Sequence, residues 1–391
     1  MKQFQTLKAD LRQTRIIETA MCAPFGGDYV VVKIESLAFT SNNLTYGLAG
    51  DSIGYWKFFP ALDNESGDWG CIPMWGFAEI IQSDDPHLSV GERIFGYFPA
   101  ADYLTLRPAR VTDQSFSDGS SHRSDLPPVY NNYVRLSGEN NYNPVMDKVR
   151  ALLFPLHMTS FCLCDALAME SYYGASQVLV ISASSKTGLG LAQGLNEHQN
   201  PPRVVGLTAS KNVSFVRELR CYDEVISYDY LDKLDVDAAS VVVDMSGNAK
   251  ILGSLNTLLG EHLLKCITVG MTHWNEVNAS LDSTDLPIAK EKTEFFFAPA
   301  HIQKRIRDWG REEYEKKIHD LQNQIDQLKS KNIDYWGRPK NPSKHILDTT
   351  TAEHKIEQRY YRLMLEVKEG KLDINTLTHA EQEVVAKLLN E

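Results

Sequence analysis

Residues 177–190, Gln-Val-Leu-Val-Ile-Ser-Ala-Ser-Ser-Lys-Thr-Gly-Leu-Gly, decide the fold. Val178 to Ile181 form a continuous aliphatic run, which is how a strand covered on both faces of a parallel sheet reads. The run breaks into a short Ser/Lys/Thr/Gly turn at 182–188, and a helix is predicted from about 189 to 197. A strand, a tight turn and a helix N-terminus together make an anion site, because backbone N–H groups and the helix dipole point at the ligand.

The pattern continues on both sides. Further strands are predicted at 203–208, 224–228, 240–244 and 265–270, with helices at 212–219 and between the last two strands. This β-α-β-α alternation predicts a doubly wound parallel sheet in an α/β fold. Upstream, 150–169 is apolar at helical spacing. Earlier still, short strands at 29–35, 78–82 and 93–98 are separated by turn formers such as Gly67, Pro73, Pro86 and Gly91, the texture of a small barrel or sandwich. Residues 113–127, polar and Ser-rich, read as a surface loop.

The turn carries the first candidate site residues. Ser182, Ser184, Ser185 and Thr187 offer donors to phosphate oxygens, and Lys186 adds a positive charge. Gly188 sits where a third glycine allows close packing of helix on strand. The plain alternative is a Ser-rich turn that caps a helix. At the end of the second strand an NAD-preferring fold carries Asp or Glu for the ribose 2′-hydroxyl. Here Thr208, Ser210, Lys211 and Asn212 follow, with no carboxylate, so Ser210 and Lys211 suit a 2′-phosphate and NADP(H) is the expected cofactor. Two more strand ends fall where a ligand would lie: Asp244 with Gly247, and Gly270 with Thr272 and His273. His273 is either an acid/base or a packed, hydrogen-bonded side chain.

Composition sets bounds. The chain has 391 residues, 43% hydrophobic and 23% charged, long enough for two or three domains and ordinary for a globular protein. A net charge of −11 argues against a nucleic-acid partner. No apolar run is read as a membrane span, and the N-terminal stretch has no apolar core of a signal peptide. Six cysteines without a C-x-x-C pair point to reduced thiols, a cytoplasmic location and no metal site. Charge is uneven: residues 311–391 hold 14 Lys/Arg against 15 Asp/Glu, which places a boundary near Gly310.

The order of a β-rich domain, an apolar helix and the 178–188 segment resembles the medium-chain dehydrogenase/reductase superfamily, on its zinc-free quinone and enoyl reductase side. The resemblance covers about residues 15–300 and includes 30–50, 72–79, 90–96 and 156–165. The segments 54–61, 129–133, 182–187, 272–274 and 295–299 together are similar to one branch, carried as a domain of unknown function. The resemblance implies a GroES-like β-barrel substrate domain over 1–150 and a Rossmann dinucleotide-binding domain over 151–280. It further implies a return to the first domain at 281–310, and it leaves 311–391 as a helical charged extension.

Departures from the superfamily matter as much. Its zinc enzymes carry a histidine before the barrel glutamate, and residues 76–79 here do not. Their catalytic cysteine region is here Phe39-Thr-Ser-Asn-Asn43, and their four-cysteine lobe is absent. The resemblance therefore implies direct hydride transfer to a conjugated carbonyl or a quinone-like small molecule. Related enoyl reductases use a tyrosine as proton donor, and Tyr46 or Tyr55 can serve. Asn42 and Asn43 are candidates to hydrogen-bond substrate or cofactor. The bland reading of the tyrosines is barrel packing. A rival from another class is a catalytically silent nucleotide-binding or assembly protein.

In the extension, Ile318, Leu321, Ile325 and Leu328 make an apolar stripe about two heptads long. It is expected to dock on the body or on a second subunit, so a homo-oligomer, a dimer, is the expected assembly. Residues 337–352 read as a linker, followed by helices at 353–368 and after Thr378.

Overall fold

A computed structural model describes residues 1–20, 29–139, 142–269, 288–310, 313, 314 and 317. The chain runs through β1 (Lys2–Leu7), β2 (Asp10–Glu18), β3 (Val30–Ala38), α1 (Ser41–Leu48), β4 (Trp69–Gly70), β5 (Met74–Ser83) and β6 (Arg93–Phe98). It continues through β7 (Tyr103–Leu106), β8 (Pro108–Ala109), β9 (Ser115–Asp118) and β10 (Asn132–Arg135). Seven of these strands form a nearly closed antiparallel barrel in the order β7-β3-β5-β6-β10-β9-β8, beside a small sheet β2-β1-β4. Alternation along β5 and β6 sends Phe77, Phe95 and Tyr97 to one cluster, and Ala78, Ile80, Ile94 and Phe98 to another.

The second half comprises α2 (Asp147–Met169), β11 (Gln177–Ile181), α3 (Lys186–Asn196), β12 (Arg203–Thr208), α4 (Val213–Leu219), β13 (Glu224–Ser227) and β14 (Ser240–Asp244). α5 (Ala249–Leu259), β15 (Leu263–Thr268), β16 (Thr293–Phe295) and α6 (Ala298–Trp309) complete it. The strands lie parallel in the order β13-β12-β11-β14-β15-β16, the Rossmann arrangement with its switch between β11 and β14. Val178 and Val180 bury against α2, α3 and α4, while Leu179 and Ile181 bury against α5. This two-sided burial explains the unbroken aliphatic run of β11.

Three local findings go beyond the sequence reading. The polar stretch 113–127 is not merely a surface loop: it contains β9, and Arg123 within it is 1% exposed. The helix expected over 150–169 starts earlier, and 144–169 is long and apolar enough to cross a membrane; here it packs on both the barrel core and the parallel sheet. Beyond Gly310, Tyr314 is buried, with its hydroxyl on Met158 Sδ at 3.5 Å. The apolar stripe from Ile318 and the later helices lie outside the described residues.

Asp165 pins α2 to α6. It accepts hydrogen bonds from Arg305 and lies 2.5 Å from His301 Nε2. Burial raises its pKa, but His301 and Arg305 outweigh that and hold it below the ordinary carboxylate range. Its stabilisation is present above about pH 4, the unfolded value, and is lost as pH falls through the lower folded value. Asp165→Ala is expected to cost about 2–3 kcal/mol, because it strands the partly buried Arg305 guanidinium and removes the hydrogen-bond partner of His301. Urea denaturation at pH 7 checks this; a loss below about 0.5 kcal/mol would show the pin to be idle.

Candidate active site

The turn after β11 is held open by bonds at both sides. Ser182 adopts a left-handed conformation, φ 61, where a glycine is the usual occupant. Its N–H donates to Tyr228 Oη at 2.9 Å. Ala183 N–H donates to Leu207 O at 3.0 Å, and Tyr222 Oη donates to Ala183 O at 3.0 Å. Ser185 is the N-cap of α3 and accepts the Gly188 N–H at 3.1 Å. A Cβ on Gly188 would stand 3.0 Å from Ser185 Oγ and 3.1 Å from Ser182 O, so the glycine allows the helix to close on its own turn.

Strand β12 delivers the neighbouring candidates to the same place. Ser184 Oγ receives a hydrogen bond from Asn212 Nδ2 at 3.1 Å and one from Thr208 Oγ1 at 3.4 Å. Lys186 opens α3, half-buried, and burial lowers its pKa. Lys211 is exposed beside Ser210. Ser210 Oγ lies 2.6 Å from Ser227 Oγ and donates to the Asp229 carboxylate.

Asp244 stands apart from the ligand-facing set. It is fully buried, and its carboxylate accepts the Ser246 N–H and hydroxyl and the Gly247 N–H, all at 2.8–2.9 Å. These bonds shape the loop that follows β14, with Gly247 at φ 70. Gly270, Thr272 and His273 lie outside the described residues.

In the barrel, the candidate catalytic residues separate. Asn43 is spent on capping α1: its Oδ1 accepts from the Thr40 N–H at 2.7 Å and hydroxyl at 3.2 Å, and its Nδ2 donates to Pro73 O at 3.0 Å. Tyr46 and Tyr55 belong to one buried aromatic cluster with Tyr97, Tyr130, Trp75 and Phe58. Tyr55 Oη and Tyr130 Oη are 3.0 Å apart, and burial drives the Tyr55 pKa far up. Tyr46 Oη accepts from Asn42 Nδ2 at 2.7 Å. Burial raises its pKa to about 12, and Asn42, Trp75, Tyr97 and Tyr130 oppose part of that rise. Trp75 Nε1 and Tyr97 Oη in the same cluster are buried beside the Tyr46 hydroxyl and make no other hydrogen bond among the described residues. Two donors set about one hydroxyl can also serve an external acceptor, and a substrate carbonyl oxygen is of that kind.

Helix α2 joins the two groups. Phe154 packs on Trp75 with ring centroids 5.4 Å apart. Six residues on, or about 9 Å along the axis, Ser160 Oγ donates to Thr187 O at 2.8 Å. Tyr228, Asp229, Ser227 and Trp75 escaped the sequence reading. The first three lie at or just past the end of β13 in the parallel sheet, which is the one signal that marks them.

Cys71, Cys162, Cys164, Cys221 and Cys266 are buried and unbridged, and burial pushes their pKa up, for Cys221 to about 11. They are protonated at neutral pH and poor nucleophiles. Among the described residues no three His, Cys, Asp or Glu side chains gather as a metal set.

A family model described as "Protein of unknown function (DUF2855)" matches residues 37–363, and so runs into the extension. No curated protein matches the chain. CurA from Vibrio vulnificus in complex with NADPH is similar in structure, with TM-score 0.54 and 14% identity, over 84% of this chain and 88% of that one. CurA from the same organism described without NADPH gives TM-score 0.50 and 13% identity, over the same shares. At these identities the likeness establishes the shared fold.

Proposed function

Because the chain belongs to the family described as protein of unknown function (DUF2855), on the medium-chain dehydrogenase/reductase fold, we propose a zinc-independent, NADPH-dependent oxidoreductase. Its substrate is a conjugated carbonyl (an enone or enoyl compound) or a quinone-like molecule. The turn at 182–188 carries the reading. The first N–H groups of a helix lack intrahelical acceptors, and a cation in the first turn opposes the helix dipole. An anionic diphosphate answers both the N–H groups of α3 and Lys186. The left-handed Ser182 and the close approach at Gly188 let the turn fold tightly onto the start of α3. The NADPH described with CurA, on the shared fold, supports the same cofactor.

When bound, NADPH supplies the hydride. The chain's own residues do the rest. Ser184, Ser185 and Thr187 bind phosphate oxygens, and Ser210 and Lys211 face the 2′-phosphate. Trp75 and Tyr97 donate to the substrate oxygen. Tyr46 holds the proton, because a hydroxyl that accepts from Asn42 keeps its own hydrogen to give. Zinc independence rests on the residues at 39–43 and 76–79, where the zinc enzymes carry cysteine and histidine and this chain does not.

Titration of the purified protein with NADPH and NADH, followed by enone and quinone panels, tests the reading. Failure to bind either dinucleotide sinks it. Binding with no turnover on any panel member favours a silent nucleotide-binding or assembly protein. Lys211→Ala is expected to weaken NADPH about tenfold and NADH little, since only the former presents a phosphate to the lysine. Equal losses would refute the 2′-phosphate assignment.

A further inference from the structure

Ser210 is not the isolated hydroxyl that the sequence suggests. Strand β12 ends without an acid, yet the exit of β13 brings one to the same spot. Asp229 Oδ2 accepts from the Ser210 hydroxyl and from Ser227 Oγ at 3.3 Å, and its own N–H donates to Ser227 Oγ at 3.2 Å. Ser227 is buried and Asp229 is exposed, so the serine is the fixed post on which the carboxylate is set. Tyr228, between them, holds the N–H of Ser182 in the phosphate turn. Three consecutive residues thus tie the diphosphate turn to the carboxylate.

We propose that Asp229 is a cofactor-specificity residue that lets this chain accept NADH alongside NADPH. The inference rests on the reading of 182–188 as a dinucleotide turn. A carboxylate is an acceptor for ribose hydroxyls, the task an acid at the end of the second strand performs in NAD-preferring folds. The same negative charge opposes a 2′-phosphate placed against Ser210, and Lys211 offsets that repulsion. The chain therefore carries one group for each cofactor, just past the ends of two different strands. Discrimination by the unaltered protein is small, and removal of either group tips it.

Dissociation constants for NADPH and NADH, measured by fluorescence titration on the full chain and on Asp229→Asn and Asp229→Glu, test this without any need for turnover. Asp229→Asn is expected to raise the preference for NADPH over NADH about tenfold, through tighter NADPH and weaker NADH binding. Asp229→Glu keeps the charge and is expected to stay within about threefold of the unaltered ratio. The gain in Asp229→Asn should shrink at high salt, because the residue is exposed. An Asp229→Asn ratio within about twofold of the original, or lower than it, overturns the specificity role while the dinucleotide reading stands. Absence of binding by every form, with either cofactor, overturns both.

Discussion

Tyr46→Phe is expected to lower kcat about 10²–10³-fold on an enone substrate while leaving the dissociation constant for NADPH unchanged. The substitution removes only an oxygen. The ring stays packed against Tyr55, with centroids 4.4 Å apart, and edge-on to Tyr97 at 5.9 Å. The lost group is the hydroxyl that Asn42 donates to at 2.7 Å. Tyr55→Phe is expected to cost less than about tenfold, because its hydroxyl faces Tyr130 and burial holds its proton more tightly. The two variants thus separate residues that sequence alone leaves equivalent. The pH profile gives a second readout. With its pKa raised to about 12, Tyr46 keeps its proton throughout the neutral and mildly alkaline range. The rate should therefore show no alkaline fall due to this group below that value. Equal losses in both variants, or a Tyr46→Phe enzyme with full kcat, would remove Tyr46 as the donor.

Arg123→Met is expected to destabilise the protein by about 3–5 kcal/mol, the largest effect on stability among the substitutions considered, because a buried ion pair loses one partner. Arg123 is 1% exposed and lies 3.0 Å from Asp118 Oδ2. It also donates to Asn131 Oδ1 at 2.9 Å, to Tyr130 O at 3.1 Å and to Tyr133 Oη at 3.2 Å, and it lies over the Phe59 ring at 4.8 Å. Asp118 in turn accepts from Arg107 N–H, Ser120 N–H and Ser120 Oγ. Methionine fills much of the space but leaves the aspartate charge and several acceptors stranded. The double variant Arg123→Met/Asp118→Leu should cost clearly less than the sum of the single losses, since no unpaired charge remains. Urea denaturation of the three variants measures this; a single-variant loss below about 1 kcal/mol would show that the pair carries no structural weight. The same guanidinium grips the Tyr130 carbonyl, so activity is expected to fall in Arg123→Met even where the protein remains folded.

The architecture was largely legible. The aliphatic run of β11, the β-α alternation and the Gly- and Pro-separated short strands all reflect burial that is local to each element. A strand covered on both faces must be apolar at every position, and a barrel strand at every second one. The strand-turn-helix at 177–196 was legible for a related reason: its residues are contiguous, so spacing alone implies their juxtaposition. Asn43 was not. As a polar residue in the right stretch it reads as a ligand group, and only the helix it caps reveals that its amide is already spent.

Sequence by itself determined the fold class, the Ser/Lys/Thr turn and the lack of an acid after β12, because each is written in consecutive residues. Tertiary structure alone decided the rest. It set Asp229 against Ser210, gathered Tyr46, Tyr55, Tyr97, Tyr130 and Trp75 into one cluster, and turned Arg123 from a loop residue into a buried anchor. These partners come from different strands and loops. Their meeting depends on strand order and register, which bring distant segments together at free energies no local pattern records.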